Sequence, residues 1–555
     1  MLLGLSRWAR DFPATPWVAI PAVLFIGALV YHQGVRARRI RAERAAGFYR
    51  AGLDRLRDLP PAQGTSGDRF VDPHHPYAAD LDLFGPRSLY ERLCTARTPM
   101  GENVLADWLL RPADLDTIQS RQACVLELRD GWMLREDLAL CGEPQRFELG
   151  ADALEAWSSA PDALNPAWRG GAAALTAAAT AGALVWAIWG LVFPFLAVLV
   201  VQLALVYALR ARIHAAIAGI DHAYEDLRLI GALLRRIEAE SFATPPLRAL
   251  QERLTSHALT ASATLSQLAT VVNLADARRN PLLAPLLLPL MYTLQSALAA
   301  ERWRRRHGAV VAAWLKVLGE FEALESLATY SFERPQDRFP EFVDGPAAFA
   351  GEGVGHPLIP AATRVCNDVA VGAGTRVLLV SGSNMSGKST LLRAVGMNTV
   401  LAMAGAPVCA LRLRLTPLRV GASIRVNDSL SEGSSRFYAE ITRLKQLFAE
   451  PPVGTPPFAL LFLLDELLQG TNSTDRRIGA QGVLDALVRS GAIGLVTTHD
   501  LTLTRGTELG PGVIEDVHFE DELIDGRLHF DFKLRNGVVT RSNGIELMRA
   551  IGLPV

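Results

Sequence analysis

The run from Gly170 to Leu209 contains no charged side chain. In a helix rising 1.5 Å per residue, these roughly 40 residues extend about 60 Å, twice the hydrocarbon thickness of a bilayer. A helical hairpin is the expected solution, with its turn near Gly190 to Pro194. Arg169 on one side and Arg210 and Arg212 on the other put both ends in the cytoplasm. A helix pair buried in a soluble core is the alternative.

Two further uncharged runs flank this one. Phe12 to Val35, centred on WVAIPAVLFIGALVY, precedes Arg36, Arg38, Arg39, Arg41 and Arg44, with no small-x-small cleavage site between. An uncleaved anchor with a cytoplasmic C-terminal side fits it. Pro281 to Ala300 carries Pro281, Pro285 and Pro289, each lacking a backbone donor, and has arginines on both flanks. A further crossing there would export everything downstream, so buried core or membrane-surface contact is expected. The chain is thus expected to be a multi-pass protein of the bacterial inner (plasma) membrane with about three spans, the N-terminal run and the two arms of the hairpin. These runs account for a composition of 50% hydrophobic but only 20% charged residues over 555 positions, where about 25% charged is usual.

A net charge of −1 leaves no global basic field, so nucleic acid or anionic lipid as a partner needs local evidence. Five cysteines, at 94, 124, 141, 366 and 409, form no Cys-x-x-Cys pair, which indicates neither a zinc module nor a disulfide framework. Leu227, Ile230, Leu234 and Ile237, interleaved with Arg228, Arg235 and Arg236, follow helical spacing and read as a packing face.

From about Thr375 the texture changes to short apolar runs, turns and helices, as in an α/β domain. Val377 to Val380 reads as a buried strand, and SGSNMSGKST follows it. Gly382, Gly387, Lys388 and Ser389 fit G-x-x-x-x-G-K-[ST]. In such a loop, backbone amides of Ser383, Asn384, Met385, Ser386 and Gly387 close around phosphates, and a helix N-terminus beginning near Thr390 adds its positive end. Lys388 reaches the outer phosphates, and Ser389 ligates Mg2+. Downstream, FALLFLLDE reads as a strand ending in Asp465, set to hold Mg2+, and Glu466, placed to polarise an attacking water. A second strand, AIGLVTTHD, ends in His499, a candidate contact to the γ-phosphate.

These segments, with their order, resemble the MutS family of DNA mismatch-recognition ATPases. The shared strings are the loop with Asn384 and Met385, His356-Pro357-Leu358 and Asn367-Asp368-Val369 ahead of it, then NDSLSEGSSRFYAEI, DELLQGTNSTD, TTHD and SNGIELMRAIGLP; TPMGENVLADWLLRP resembles the start of the helical core. The resemblance implies an ABC-type P-loop ATP hydrolase that uses ATP and Mg2+ and works as a homodimer with composite sites. Ser435 would be the signature serine reaching the partner's γ-phosphate, Gly433 would open its turn, and Asp475 would lie in a turn facing the dimer interface. The family's base contact falls on Phe532 and, here, Arg364.

The layout implied is multi-domain. It has a membrane anchor over 1–35, a basic juxtamembrane segment over 36–84, a helical core and lever with the membrane hairpin over 85–340, and an α/β ATPase over 341–555. No Phe-x-Glu wedge precedes the core, and no helical segment follows the GLP string, so mismatch reading of the usual kind is not expected. The function implied is a membrane-anchored MutS-like ATPase in which ATP drives conformational change, in DNA binding or repair-related processing, with DNA stimulation of turnover. The alternative is a membrane-coupled ATPase acting on a protein or membrane partner without DNA.

Overall fold

The computed structural model describes residues 16–59, 65–142, 147, 151–221, 223–255, 260–276, 288–372, 374–424, 436–449, 456–468, 471–498, 509–510, 512–524 and 527–539. The first part is helical: α1 (Pro16–Leu56), α2 (Leu89–Leu93), α3 (Pro99–Leu110), α4 (Leu115–Arg129), α5 (Trp132–Leu140), α6 (Ala151–Ser159), α7 (Trp168–Trp189), α8 (Phe193–Ile217), α9 (Tyr224–Glu238), α10 (Pro245–Thr255), α11 (Ala261–Asp276) and α12 (Tyr292–Glu333). Local chemistry sets several starts. Thr98 accepts from the Gly101 amide with Pro99 in the first turn of α3, and Asp114 accepts from the Thr117 amide to open α4.

Helix α12 is the spine. Its 42 residues contain no proline and extend about 63 Å. Helices α3, α4, α6, α8, α10 and α11 pack along it. The Leu227, Ile230, Leu234 and Ile237 stripe is fully buried on α9, which lies mainly against α11.

The apolar hairpin forms as α7 and α8, turning at Gly190 in the left-handed region (φ 74°). Gly182 lets the helices close, since a Cβ there would stand 3.0 Å from the Phe195 Cα. Gln202 on α8 donates to the Leu175 carbonyl of α7 and to the Pro289 carbonyl, at 3.0 and 2.9 Å. Only 17% and 11% of the most apolar windows of the two helices are buried. That exposure rules out a helix pair inside a soluble core, because Trp186, Ile188, Trp189, Phe193 and Val200 face outward.

Among the described residues two helices, not three, are long and apolar enough to cross a membrane. The third expected span, the N-terminal run, is not one of these two. The N-terminal run begins outside the described residues, and its remainder is the exposed first half of α1, a helix that becomes basic after Val35. Of the proline-bearing run, residues 288–291 form a turn against the hairpin, where the Leu290 carbonyl lies 3.4 Å from the Thr176 hydroxyl. Tyr292 onward begins α12.

Beyond α12 come β1 (Glu341–Phe342), β2 (Phe349–Val354), β3 (Asn367–Val371), β4 (Val377–Ser381), α13 (Lys388–Ala404), β5 (Arg412–Leu415), β6 (Leu418–Ser423), α14 (Arg436–Leu447), β7 (Ala459–Asp465), α15 (Ser473–Arg489), β8 (Ile493–Thr497), β9 (Ile514–Ile524) and β10 (Arg527–Asn536). They make a four-stranded sheet, β1-β5-β2-β3, and a six-stranded one, β10-β9-β4-β8-β7-β6. In the larger sheet only the β9–β10 pair is antiparallel. Its central strands read as unbroken apolar runs because both faces are covered. Leu378, Val380, Leu461, Leu463 and Leu495 join the core shared with α13 and the helical region, while Val377, Leu379, Phe462, Leu464 and Val496 pack under α14 and α15.

One half-buried ionic cluster ties the parts together. Asp58, two residues past α1, is bound by both Arg92 and Arg334, and Arg92 also donates to the Pro357 carbonyl at 2.7 Å. Arg55 grips Glu333 with a 2.7 Å contact.

A candidate nucleotide site at the head of the parallel sheet

Strand β4 delivers the chain to Gly382, and α13 carries it away from Gly387, so the loop sits above the strand's carboxyl end. Its glycines are required by geometry. Gly382 has φ 147°, and a Cβ there would meet the Ser386 hydroxyl at 2.8 Å; Gly387, at φ 105°, caps α13. Met385, at φ 71°, is the exposed tip. The Lys388 ammonium folds back on the Gly382 and Ser383 carbonyls, at 2.9 and 2.8 Å. Burial pulls its pKa below the ordinary lysine range, opposed by Glu466 and Asp465.

The carboxylate of Asp465, at the end of β7, accepts from the Ser389 hydroxyl at 2.5 Å and from the Thr497 hydroxyl. Thr497 is fully buried at the end of β8 and also accepts from the Glu466 amide at 3.0 Å. Glu466 stands in the left-handed region at φ 51°, a conformation costly for a side-chain-bearing residue and concentrated at functional sites. The Leu468 amide donates to the buried Glu440 carboxylate of α14, linking the strand end to the helix after the signature segment.

Beside the loop lies a cavity of about 240 Å³ lined by His356, Ile359, Asn367, Gly387, Thr390 and Phe532, among others. Phe532 is fixed by Asn367, whose side chain donates to the Phe532 carbonyl (3.0 Å) and accepts from the Leu534 amide (2.9 Å). His356 is held neutral, its pKa pushed down to about 4 by burial and then by Arg393, Arg364 and Arg92. Arg364 is not among the lining residues; its side chain packs on Gly355. His356, within a His-Pro-Leu string visible in the sequence, shares the cavity lining with Phe532, whereas Arg364 does not. Thr497, in the TTHD segment, joins the site without a motif role of its own in the sequence.

Two features test the fit to a nucleotide with Mg2+. The Ser383 and Ser386 hydroxyl oxygens are shielded from solvent and bond no protein group. Ser389 and Asp465 converge on one point, the oxygen donor set a hard divalent ion takes. Asp475 starts α15, its amide bonded to the Asn472 capping side chain at 2.9 Å. Ser435, Gly433 and His499 lie outside the described residues.

Comparison with known proteins shows what this part of the chain is similar to. Residues 378–555 match the model for MutS domain V. The chain is 34% identical over 200 residues to the endonuclease MutS2 of Thermus thermophilus, covering 36% of this chain and 26% of that one. It is 31% identical over 237 residues to the DNA mismatch repair protein MutS 2 of Halobacterium salinarum (42% and 27%), and 31% over 246 residues to the DNA mismatch repair protein MutS of Geobacillus thermodenitrificans (43% and 26%). The chain thus spans about a quarter of the length of these curated relatives. The part of the chain built around the loop, Asp465 and Thr497 is thus similar to MutS domain V, over residues 378–555.

Proposed function

We propose that the chain is a membrane-held ATP hydrolase in which nucleotide-driven pairing of two copies moves the α12 spine, in DNA binding or repair-related processing. The observation that carries the hydrolase part is the convergence of Ser389, Asp465, Thr497 and Glu466 above one strand edge, next to the loop. In this reading the loop amides and Lys388 hold the phosphates, and Ser389 and Asp465 hold Mg2+. When bound, that ion neutralises charge on the phosphate oxygens. Glu466 orients and deprotonates the attacking water, its backbone fixed by Thr497. His356 and Phe532 flank the base in the neighbouring cavity. Ser435 of one copy would complete the site of the other, and His499 would meet the γ-phosphate.

The membrane part rests on the exposed hairpin. From Trp168 to Trp189 is about 32 Å of helix, a bilayer core's thickness, with Trp186, Trp189 and Phe193 at the turn and Tyr207 near the base. Both hairpin ends then face the same side as the ATPase, the cytoplasmic side of a bacterial inner membrane. The exposed hairpin and the net charge of −1 also favour a second reading, a membrane-coupled ATPase of the same mechanism serving a protein or membrane partner without DNA.

Turnover of the purified full chain in vesicles, with and without mismatched and branched duplexes across salt, separates the two. Stimulation that weakens with salt supports the DNA reading. ATP hydrolysis indifferent to every duplex supports the second, and no hydrolysis at all overturns both.

A further inference from the structure

Three helices bring arginines to one level at the base of the hairpin. The Gln202 side chain marks a common height, since it bonds both Leu175 on α7 and Pro289 just before α12. From there Arg169 lies about 9 Å down α7, Arg210 about 12 Å down α8, and Arg302 about 15 Å along α12, all on the side away from the turn. Arg212 and Arg306 continue the ring on α8 and α12.

Acidic neighbours do not neutralise it. Asp162 takes Arg305, and Glu301 takes the buried Arg304. Arg302, by contrast, is pulled down by burial and then by Arg169, Arg306 and Arg305, with no carboxylate opposing. Arg210 lies 3.9 Å over the exposed Tyr207 ring, an aromatic suited to the headgroup layer. A cluster of like charges held together by folding is unfavourable until anions reach it. At the foot of an apolar hairpin, the anions within reach are phospholipid headgroups.

We propose that Arg169, Arg302 and Arg306, at the base of the α7–α8 hairpin, form a binding site for the headgroups of anionic phospholipids. The site rests on the hairpin entering a bilayer, and it adds lipid selectivity to that reading. Long arginine side chains reach the phosphate while their stems stay on apolar surface.

The test uses the full chain in phosphatidylcholine vesicles carrying trace spin-labelled phosphatidylglycerol or spin-labelled phosphatidylcholine, and measures the motionally restricted fraction of each label. The wild-type chain is expected to prefer phosphatidylglycerol by about threefold or more, less at 1 M salt. Arg169→Gln/Arg302→Gln/Arg306→Gln should bring the ratio to about one, and the triple Lys variant should keep most of it. Retained ATP binding checks that each variant is folded.

Equal restriction of both labels in the wild type, or an unchanged preference in the Gln variant, overturns the site. Loss of the preference on adding duplex DNA assigns the arginines to nucleic acid and overturns it too. No restricted label of either kind means that the hairpin does not insert. That outcome removes the membrane reading and the site with it, and is told apart from the first two by the absence of any restricted component.

Discussion

At the scale of single residues, Glu466 and Thr497 divide one task. Thr497 holds the Asp465 carboxylate and the Glu466 amide at once, so the proposed metal ligand and the proposed base share a fixed origin. Glu466→Gln is expected to leave ATP binding within about threefold while slowing single-turnover hydrolysis by roughly 100-fold or more, about 3 kcal/mol in the barrier. Unchanged turnover would remove Glu466 from the role of base. Thr497→Val keeps the shape but drops the hydroxyl and should lower kcat more than it weakens nucleotide binding. His356 gives a pH signature. Its folded pKa, pushed down to about 4, lies below its unfolded value of about 6.5, so the unfolded chain binds the proton more readily. The stability it contributes is present above pH 6.5 and is lost as pH falls towards 4. His356→Phe should flatten that part of the stability profile, measured by denaturant unfolding at stepped pH values, and a profile unchanged by the substitution would count against a buried neutral imidazole.

At the scale of elements, Gly182 and Gln202 fix the hairpin. Gly182→Leu must push α7 and α8 apart, because its Cβ would already press on the Phe195 backbone. The expected result is a destabilised hairpin, read as faster proteolysis between residues 182 and 195, at a cost of about 1–3 kcal/mol. Much of this level was legible in the sequence. The run from Gly170 to Leu209 is long and uncharged enough to read as a helical hairpin, and the strand-loop-helix order around Lys388 follows from phosphate-loop chemistry. What stayed hidden depends on distant contacts. The proline-bearing run ends as a turn against Thr176 because Gln202, about 90 positions away, satisfies the Pro289 carbonyl. The resemblance puts a base contact on Arg364, and only the folded segment turns the His356 imidazole into the cavity and the Arg364 side chain onto Gly355.

At the scale of the whole molecule, the Asp58 cluster joins the N-terminal helix, the end of α12 and the segment beside the base cavity. Asp58→Ala leaves the buried Arg334 and the half-buried Arg92 without their shared carboxylate, which should cost about 1–3 kcal/mol. It should also raise the KM for ATP more than it lowers kcat, since Arg92 would lose its hold on the Pro357 carbonyl beside His356. Wild-type stability and KM in that variant would show the cluster to be incidental. The unbroken run of α12 has a consequence of its own. A proline-free rod about 63 Å long, set beside the hairpin at one end and tied at the other to Arg55 and, through Arg334, to Asp58, acts as a gauge. With the hairpin in a bilayer, as proposed, the rod would fix how far its far end stands from the lipid, so a ligand held there would have to fit beneath a ceiling whose height is set by counting helical turns.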